Sequence, residues 1–179
     1  MTVHDSVPVR QEVDAKALRQ AFGSFATGVT VVTTGGPIPH AMTANSFTSV
    51  SLDPALLLVC VDRAAVMHGC LAESGLFGVS VLAAHQEAEA RHFANRHRTL
   101  GAAQFDNVPW TPGPLTGTPL IDNAIARFEC ELWRSYDGGD HTVFIGRVLS
   151  VDHEADGDAL VVYKSRFRQI MPDWSEVTA

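Results

Sequence analysis

Short segments typical of β-strands recur along this chain, and turn-forming residues separate them. Residues 29–34 are all β-branched, and Gly35, Gly36 and two prolines come soon after them. Residues 56–61 form a continuous apolar run, which predicts a strand buried on both faces. Strands that follow one another through short turns pair as antiparallel neighbours, so we predict a mainly β, Greek-key-like antiparallel barrel with a few peripheral helices. The predicted strands are residues 29–34, 41–51, 56–61, 77–82, 126–133, 142–151 and 160–163.

One strand shows a clear two-residue period, which predicts the faces of its side chains. Between residues 126 and 133 the apolar positions are Ala126, Phe128, Cys130 and Leu132, and Arg127, Glu129 and Glu131 are expected on the opposite face.

Three segments favour helices. Asp14 is a candidate N-cap for a helix with apolar positions Leu18, Ala21, Phe22 and Phe25, ended by Gly28. The other two predicted helices are residues 64–73, which end before Gly75, and residues 87–94. Residues 95–118 show no periodicity, and a loop of that length is often a binding loop. We expect one domain over residues 13–170, between a flexible N-terminus (1–12) and a C-terminal tail (171–179).

Composition excludes several classes of function. The chain has 179 residues with 13 basic and 20 acidic side chains, and a net charge of −7 disfavours nucleic-acid binding. It contains no run of ~20 apolar residues and no apolar signal-peptide core, so we expect no membrane association. Its three cysteines have neither zinc nor redox spacing, which predicts buried free thiols in the cytoplasm.

Common catalytic motifs are absent from the sequence. It has no glycine-rich nucleotide fingerprint, no P-loop and no G-x-S-x-G elbow. His85, His92 and His97 lack the spacing of a helical metal site, so no metal is expected and the three are read as solvated. Asp140 and His141 are sequence neighbours, which point to opposite faces of an extended chain and make a poor acid–base pair.

The segment of residues 43–51 has strand composition but carries many small hydrogen-bonding side chains. Small side chains let a flat ring lie against the backbone, and the hydroxyls of Ser49 and Ser51 suit phosphate oxygens. The alternative is an exposed edge strand whose serines and threonines face water.

Several motifs in a fixed order resemble the flavin reductase-like family. They are Phe-Ala-Thr-Gly-Val-Thr-Val-Val-Thr-Thr at residues 25–34, Met-Thr-Ala-Asn-Ser-Phe-Thr-Ser-Val-Ser-Leu-Asp-Pro at 42–54, and Gly-Asp-His at 139–141. The resemblance spans about residues 18–168. It implies an FMN-binding split β-barrel, a homodimer, and the small reductase component of a two-component flavin-dependent monooxygenase.

The chemistry implied by the resemblance is hydride transfer from the nicotinamide C4 of NADH or NADPH to the N5 of FMN or FAD. Reduced flavin would then diffuse to the partner monooxygenase. The protein supplies stacking and electrostatics, which agrees with the absence of nucleophile motifs. The acidic balance weakly favours NADH, because a 2′-phosphate requires a basic cluster.

The resemblance also implies a set of site residues. The isoalloxazine lies along Thr43, Ala44, Asn45 and Ser46, and the ribityl phosphate approaches Ser49, Val50 and Ser51. Val61, Asp62 and Arg63 border the flavin, as does the turn at Gly28 and Val29. Arg63 and Arg98 are candidate phosphate partners, because guanidinium groups suit phosphates, and Phe93 is a candidate packing residue. His141 is expected on the nicotinamide side, with Tyr163, Arg166 and Phe167 shaping the same pocket.

Two alternatives remain open at this point. One is an enzyme with tightly bound FMN that reduces another acceptor, such as a quinone, an azo bond or a metal ion. The other is a non-catalytic flavin- or haem-binding split barrel. The Gly-Asp-His sequence at residues 139–141 argues against the second.

Overall fold

The computed structural model describes residues 13–153 and 157–170. The flexible N-terminus and the C-terminal tail expected from the sequence lie outside these residues. The helices are α1 (Ala15–Phe22), α2 (Val66–Ser74), α3 (Glu87–Ala94) and a short 3-10 helix (Gly101–Phe105). The strands are β1 (Thr27–Gly28), β2 (Thr30–Thr34), β3 (His40–Ala44), β4 (Thr48–Leu52), β5 (Ala55–Asp62), β6 (Leu76–Val81), β7 (Trp110–Pro112), β8 (Pro119–Ile121), β9 (Ala126–Gly138), β10 (His141–His153), β11 (Val161–Tyr163) and β12 (Arg166–Arg168).

Seven of these strands form one antiparallel sheet in the order β3-β2-β6-β9-β10-β5-β4. Strands β1, β11 and β12 form a three-stranded sheet, and β7 pairs with β8. The pairing of β6 with β2 and β9 brings together strands distant in sequence, as in Greek-key folds. The prediction of a mainly β split barrel with a few helices is confirmed.

Every residue of strand β2 is buried, so both faces of this strand are covered. Val32 belongs to a core that includes α2, and Val31 to a second core that includes Phe93 of α3. The prediction of two buried faces for residues 56–61 was wrong. Leu57, Val59 and Val61 are buried, but the intervening side chains of β5 are only half-buried, because one face of this strand is incompletely covered.

Two predicted elements differ in extent. Helix α1 is capped by Asp14, whose carboxylate accepts from the Ala17 amide at 3.0 Å, but it ends at Gly23 and not at Gly28. The single strand expected over residues 41–51 is two strands, β3 and β4. The Ser46 hydroxyl, which lies between them, donates to the Cys60 carbonyl at 2.9 Å and accepts from the Cys60 amide at 3.0 Å. These bonds replace the strand ladder at this point, so the strand breaks.

The aperiodic loop over residues 95–118 is organised by buried polar side chains. Glu129 was expected beside Arg127 on the polar face, but it is 1% exposed. One of its carboxylate oxygens accepts from the amides of Leu115 and Thr116 at 2.9 and 2.7 Å, so the acidic side chain anchors the loop from inside.

Within the described parts of the chain, no helix has the length and apolar character that crossing a membrane requires. The three cysteines are free; Cys130 is buried as predicted, whereas Cys60 and Cys70 are only half-buried.

Candidate functional site

A cavity of about 560 Å³ lies where β3, the end of β5, the start of α2 and the loop after α3 meet. Its volume is within the range of roughly 300–1,000 Å³ found for small-molecule sites. Both apolar and charged side chains contribute to the wall. The lining residues are His40, Met42, Thr43, Ala44, Asn45, Ser46, Cys60, Asp62, Ala64, Ala65, Val66, Met67, Phe93, Ala94, Arg96, Arg98, Leu100 and His141.

The floor of the cavity is the end of β3 and the residues that follow it. Thr43 donates its hydroxyl proton to the Ala90 carbonyl of α3 at 2.7 Å, and Ser46 is bound to the Cys60 backbone. These two hydroxyls therefore fix the floor and are engaged by the protein. The Asn45 side chain is exposed and lines the cavity, so its amide is the group of this segment placed to meet a ligand.

One side of the cavity is held by Arg98. Its three guanidinium nitrogens all face protein acceptors: Nη1 donates to the Asn95 carbonyl at 2.8 Å, Nε is 3.4 Å from Gln104 Oε1, and one Nη2 proton goes to the Ala41 carbonyl. Nη2 also lies 3.4 Å from Nε2 of His40. The network ties the loop after α3 to the start of β3.

His40 is a buried, neutral imidazole in this network. Burial, and secondarily the positive charge of Arg98, lowers the pKa of His40 from 6.5 to about 4. The ring is therefore uncharged at neutral pH, and its Nε2 can accept from the guanidinium of Arg98. Arg98 is consequently the charged group on this side of the cavity, although burial also lowers its pKa.

The other side of the cavity is formed by Asp62 and His141. They are directly paired positions on β5 and β10. Arg96, from the loop after α3, reaches across with Nη2 3.9 Å from Asp62 Oδ2. The Arg96 side chain is 88% exposed, so its donors are largely available to an anionic ligand.

Asp140 and His141 interact directly, and the expectation that they make a poor pair was wrong. Asp140 Oδ1 lies 2.7 Å from Nδ1 of His141. The hydrogen bond from His141, and then its charge, lowers the pKa of Asp140. The contact is possible because Asp140 sits in the turn before β10, where strand alternation does not govern side-chain directions.

The first turn of α2 is the third wall of the cavity. Val66 and Met67 line it, and the N-cap position, Ala65, provides no side-chain hydrogen bond. The uncapped amides of a helix N-terminus suit an anionic group. Cys60 also lines the cavity, but burial raises the pKa of its thiol, which therefore stays protonated at neutral pH and is a weak nucleophile.

The structure brings eight of the predicted site residues to this cavity. They are Thr43, Ala44, Asn45, Ser46, Asp62, Phe93, Arg98 and His141. Phe93 is fully buried and packs on Phe105 with ring centroids 5.6 Å apart, so it supports the wall from the core side.

The other predicted residues lie outside the lining. Val61 and Val29 are core residues, and Gly28 pairs with Val161 of β11. Tyr163, Arg166 and Phe167 belong to the β11–β12 hairpin, where Phe167 packs beneath Arg91. Ser49, Val50 and Ser51 lie on β4, at the edge of the sheet. Arg63 does not line the cavity; its guanidinium binds Asp137 and the Gly139 carbonyl.

Ten lining residues were missed from the sequence: His40, Met42, Cys60, Ala64, Ala65, Val66, Met67, Ala94, Arg96 and Leu100. Most are apolar and are indistinguishable from core residues by composition. Arg96 had a usable signal, because it precedes Arg98 by two residues in the long aperiodic loop.

Comparisons with known proteins agree on one family. The flavin reductase like domain matches residues 22–171. An NADH-dependent FAD reductase of Streptomyces globisporus is 49% identical over 172 residues, 94% of each chain. The reductase subunit of a flavin-dependent monooxygenase from Rhodococcus jostii is 32% identical, covering 94% of this chain and 85% of the relative.

Solved structures show the same similarity. The flavin reductase component of a bacterial two-component tryptophan halogenase has 57% identity and a TM-score of 0.85, over 89% of this chain and 99% of the other. A Streptomyces globisporus NADH:FAD oxidoreductase in complex with NAD and FAD fragments has 49% identity and a TM-score of 0.86, over 90% and 95%.

Proposed function

Because the chain belongs to the flavin reductase like domain family, we propose that it is an NADH-dependent flavin reductase that supplies reduced FMN or FAD to a partner enzyme. The observation that carries the proposal is the single cavity shared by residues 43–46 and His141. These are the groups that the resemblance assigns to the flavin and to the nicotinamide.

The cavity suits a flavin in size and in chemistry. Its floor is made of small side chains, so a flat ring can approach the backbone of β3 closely. The exposed Asn45 amide can bind the polar edge of that ring. Arg96 and the uncapped first turn of α2 offer positive charge and amide protons to a phosphate.

When both are bound, the flavin and the nicotinamide supply the redox chemistry, with hydride passing from C4 to N5. The protein positions the two rings. His141 lines the cavity beside Asp62, and its Nδ1 is bound to Asp140, which leaves Nε2 for the amide or the ribose of the nicotinamide nucleotide. NADH is the proposed donor, in agreement with the names of the relatives.

The proposed partner is a flavin-dependent monooxygenase or halogenase that consumes reduced flavin. Relatives carry such names: one is a monooxygenase reductase subunit and another is a halogenase reductase component. The ligand-facing groups Asn45 and Arg96 are exposed, which fits a flavin that enters and leaves as a substrate. The free cysteines fit a cytoplasmic enzyme.

We also propose a homodimer. Strand β4 is an edge strand whose backbone groups can pair further, and it carries Leu52, which is 95% exposed. Phe22 and Phe25, near α1, are 68% and 77% exposed. Exposed apolar surface of this kind is typical of protein interfaces. Light scattering coupled to size exclusion tests the assembly: a monomer at micromolar concentration contradicts it, and a dimer that Leu52→Lys weakens supports it.

Steady-state oxidation of NADH and NADPH, with FMN and FAD varied separately, tests the function. We expect NADH oxidation that saturates with added free flavin. Oxidation that ignores added flavin and requires another acceptor supports a tightly bound cofactor. Flavin binding without NADH or NADPH oxidation supports a non-catalytic flavin-binding barrel and overturns the proposal.

A further inference from the structure

The turn between β9 and β10 is fastened to the end of β5 by one arginine. Arg63 donates through Nε to the Gly139 carbonyl at 2.9 Å and through Nη2 to Asp137 Oδ2 at 2.8 Å. Its backbone amide donates to the Asp140 carbonyl at 3.0 Å. The other Asp137 oxygen accepts from the Gly139 amide at 2.9 Å, which closes the turn.

This fastened turn leads directly to His141. Asp140 places a carboxylate oxygen 2.7 Å from His141 Nδ1. A carboxylate only accepts, so Nδ1 carries a proton and Nε2 is the atom left for a ligand. The orientation of the imidazole therefore depends on the position of Asp140. The backbone amide of Arg63 binds the Asp140 carbonyl, and the Arg63 side chain holds the turn that leads to it through Asp137 and Gly139.

We infer that Arg63 is a positioning residue, which holds the turn of residues 137–140 so that Asp140 can orient His141 toward the nicotinamide nucleotide. The inference rests on the proposed function for the role of His141. It also replaces the expectation that Arg63 binds the flavin phosphate, because Nε and Nη2 of its guanidinium are already bound to the turn and Arg63 does not line the cavity.

The side chain that makes these contacts has to be arginine. Nε and Nη2 reach two different acceptors at once, whereas a lysine ammonium can keep the charge near Asp137 but does not reproduce the fork. Arg63 and Asp137 have side chains that are 45% and 82% exposed. An exposed ion pair contributes little to folding, so variants of Arg63 are expected to fold.

The experiment compares Arg63→Met, Arg63→Lys, His141→Ala and the double variant Arg63→Met with His141→Ala. Arg147→Met is the matched control, because Arg147 is also 45% exposed and is paired with Glu131 away from the cavity. We expect Arg63→Met to raise KM for NADH about tenfold, with the KM for flavin changed less than about twofold. The KM for NADH of Arg63→Lys should lie between those of Arg63→Met and the unaltered enzyme. The KM of Arg147→Met should match that of the unaltered enzyme.

The double variant separates positioning from direct contact. If Arg63 acts through His141, adding Arg63→Met to His141→Ala should change KM for NADH by less than about twofold. Effects that multiply overturn the inference. A rise in the KM for flavin in place of that for NADH overturns it as well and assigns Arg63 to the flavin phosphate.

A second measurement on the flavin-free protein does not depend on turnover. Hydrogen exchange at the amides of residues 138–141 should be faster in Arg63→Met than in Arg147→Met, and imidazole ¹⁵N shifts should show that His141 Nδ1 loses its fixed proton. Unchanged exchange and shifts overturn the inference. If the unaltered protein oxidises neither NADH nor NADPH, the proposed function fails, and this measurement still decides whether Arg63 orients His141.

Discussion

Replacing Gln104 should damage the cavity through a loop that the ligand itself does not need to touch. The Gln104 side chain is 1% exposed. Oε1 accepts from the Ala41 amide at 3.0 Å, and Nε2 donates to the carbonyls of Pro39 and Gly101, both at 2.9 Å. Gln104→Met keeps the length of the side chain and removes all three bonds, so it isolates the amide.

The expected loss can be worked out from these partners. The buried Ala41 amide loses its acceptor, which costs about 1–3 kcal/mol, and each of the other two bonds contributes about 1 kcal/mol. We therefore expect the free energy of unfolding to fall by about 3–5 kcal/mol. Arg98 also loses its Nε contact, so the loop that carries it is less ordered before a ligand binds. Flavin affinity should fall about tenfold, which corresponds to roughly 1.4 kcal/mol.

Gln86→Met is the matched control. Gln86 is 2% exposed; it accepts from the Ala83 amide at 3.0 Å and donates to the Asp122 carbonyl at 2.8 Å, but it does not line the cavity. Urea denaturation should show that the free energy of unfolding falls by about 2–4 kcal/mol, and flavin fluorescence titration should show unchanged affinity. Equal flavin affinities for the two variants, or a loss below about 1 kcal/mol for Gln104→Met, would refute the reasoning.

Three further outcomes are expected at the cavity. The pKa of His40 is lowered from 6.5 to about 4. Between these two pH values His40 is protonated in the unfolded chain and neutral in the folded protein, so the free energy of unfolding falls as the pH drops from 6.5 to about 4. Urea denaturation measures the free energy of unfolding at pH 7.5 and at pH 4.5. Between these pH values the free energy of unfolding of His40→Gln should fall by roughly 2–3 kcal/mol less than that of the unaltered protein, and equal falls contradict the assignment. Asn45→Leu should weaken flavin binding about tenfold with an unchanged urea midpoint, and unchanged affinity argues against residues 43–46 as the flavin platform. Arg96→Ala should weaken binding of a phosphate-bearing ligand without loss of stability, because the Arg96 side chain is 88% exposed. Arg98→Ala should lower both the ligand affinity and the free energy of unfolding.

The sequence alone predicted those site residues that belong to a short, recognisable run of neighbouring residues. Residues 43–46 combine small size with hydrogen-bonding groups, and they do line the cavity. His141 was found through the Gly-Asp-His motif, and it also lines the cavity. These features are properties of adjacent residues, which a sequence displays directly.

The sequence was insufficient where a polar side chain bonds to a distant backbone. The Ser46 hydroxyl interrupts the strand by binding Cys60, 14 residues away, and Glu129 is buried because the loop at Leu115 and Thr116 supplies its donors. Neither partner is visible from local periodicity. A two-residue alternation therefore predicted the burial of Glu129 wrongly, although the strand itself was predicted correctly.

Arg96 and Arg98 lie in the same loop but have different roles at the cavity. The residue before Phe105 is Gln104, which lies in the same loop as both arginines. Gln104 carries no charge, and its side-chain amide holds the loop by hydrogen bonds. All three guanidinium nitrogens of Arg98 also face protein acceptors and hold the same loop. Arg96 is then the arginine with available donors, and its only ion pair is a loose one of 3.9 Å to Asp62 among the residues described. Under the proposed function, a flavin phosphate would compete with Asp62 for Arg96 and would leave the Arg98 network intact.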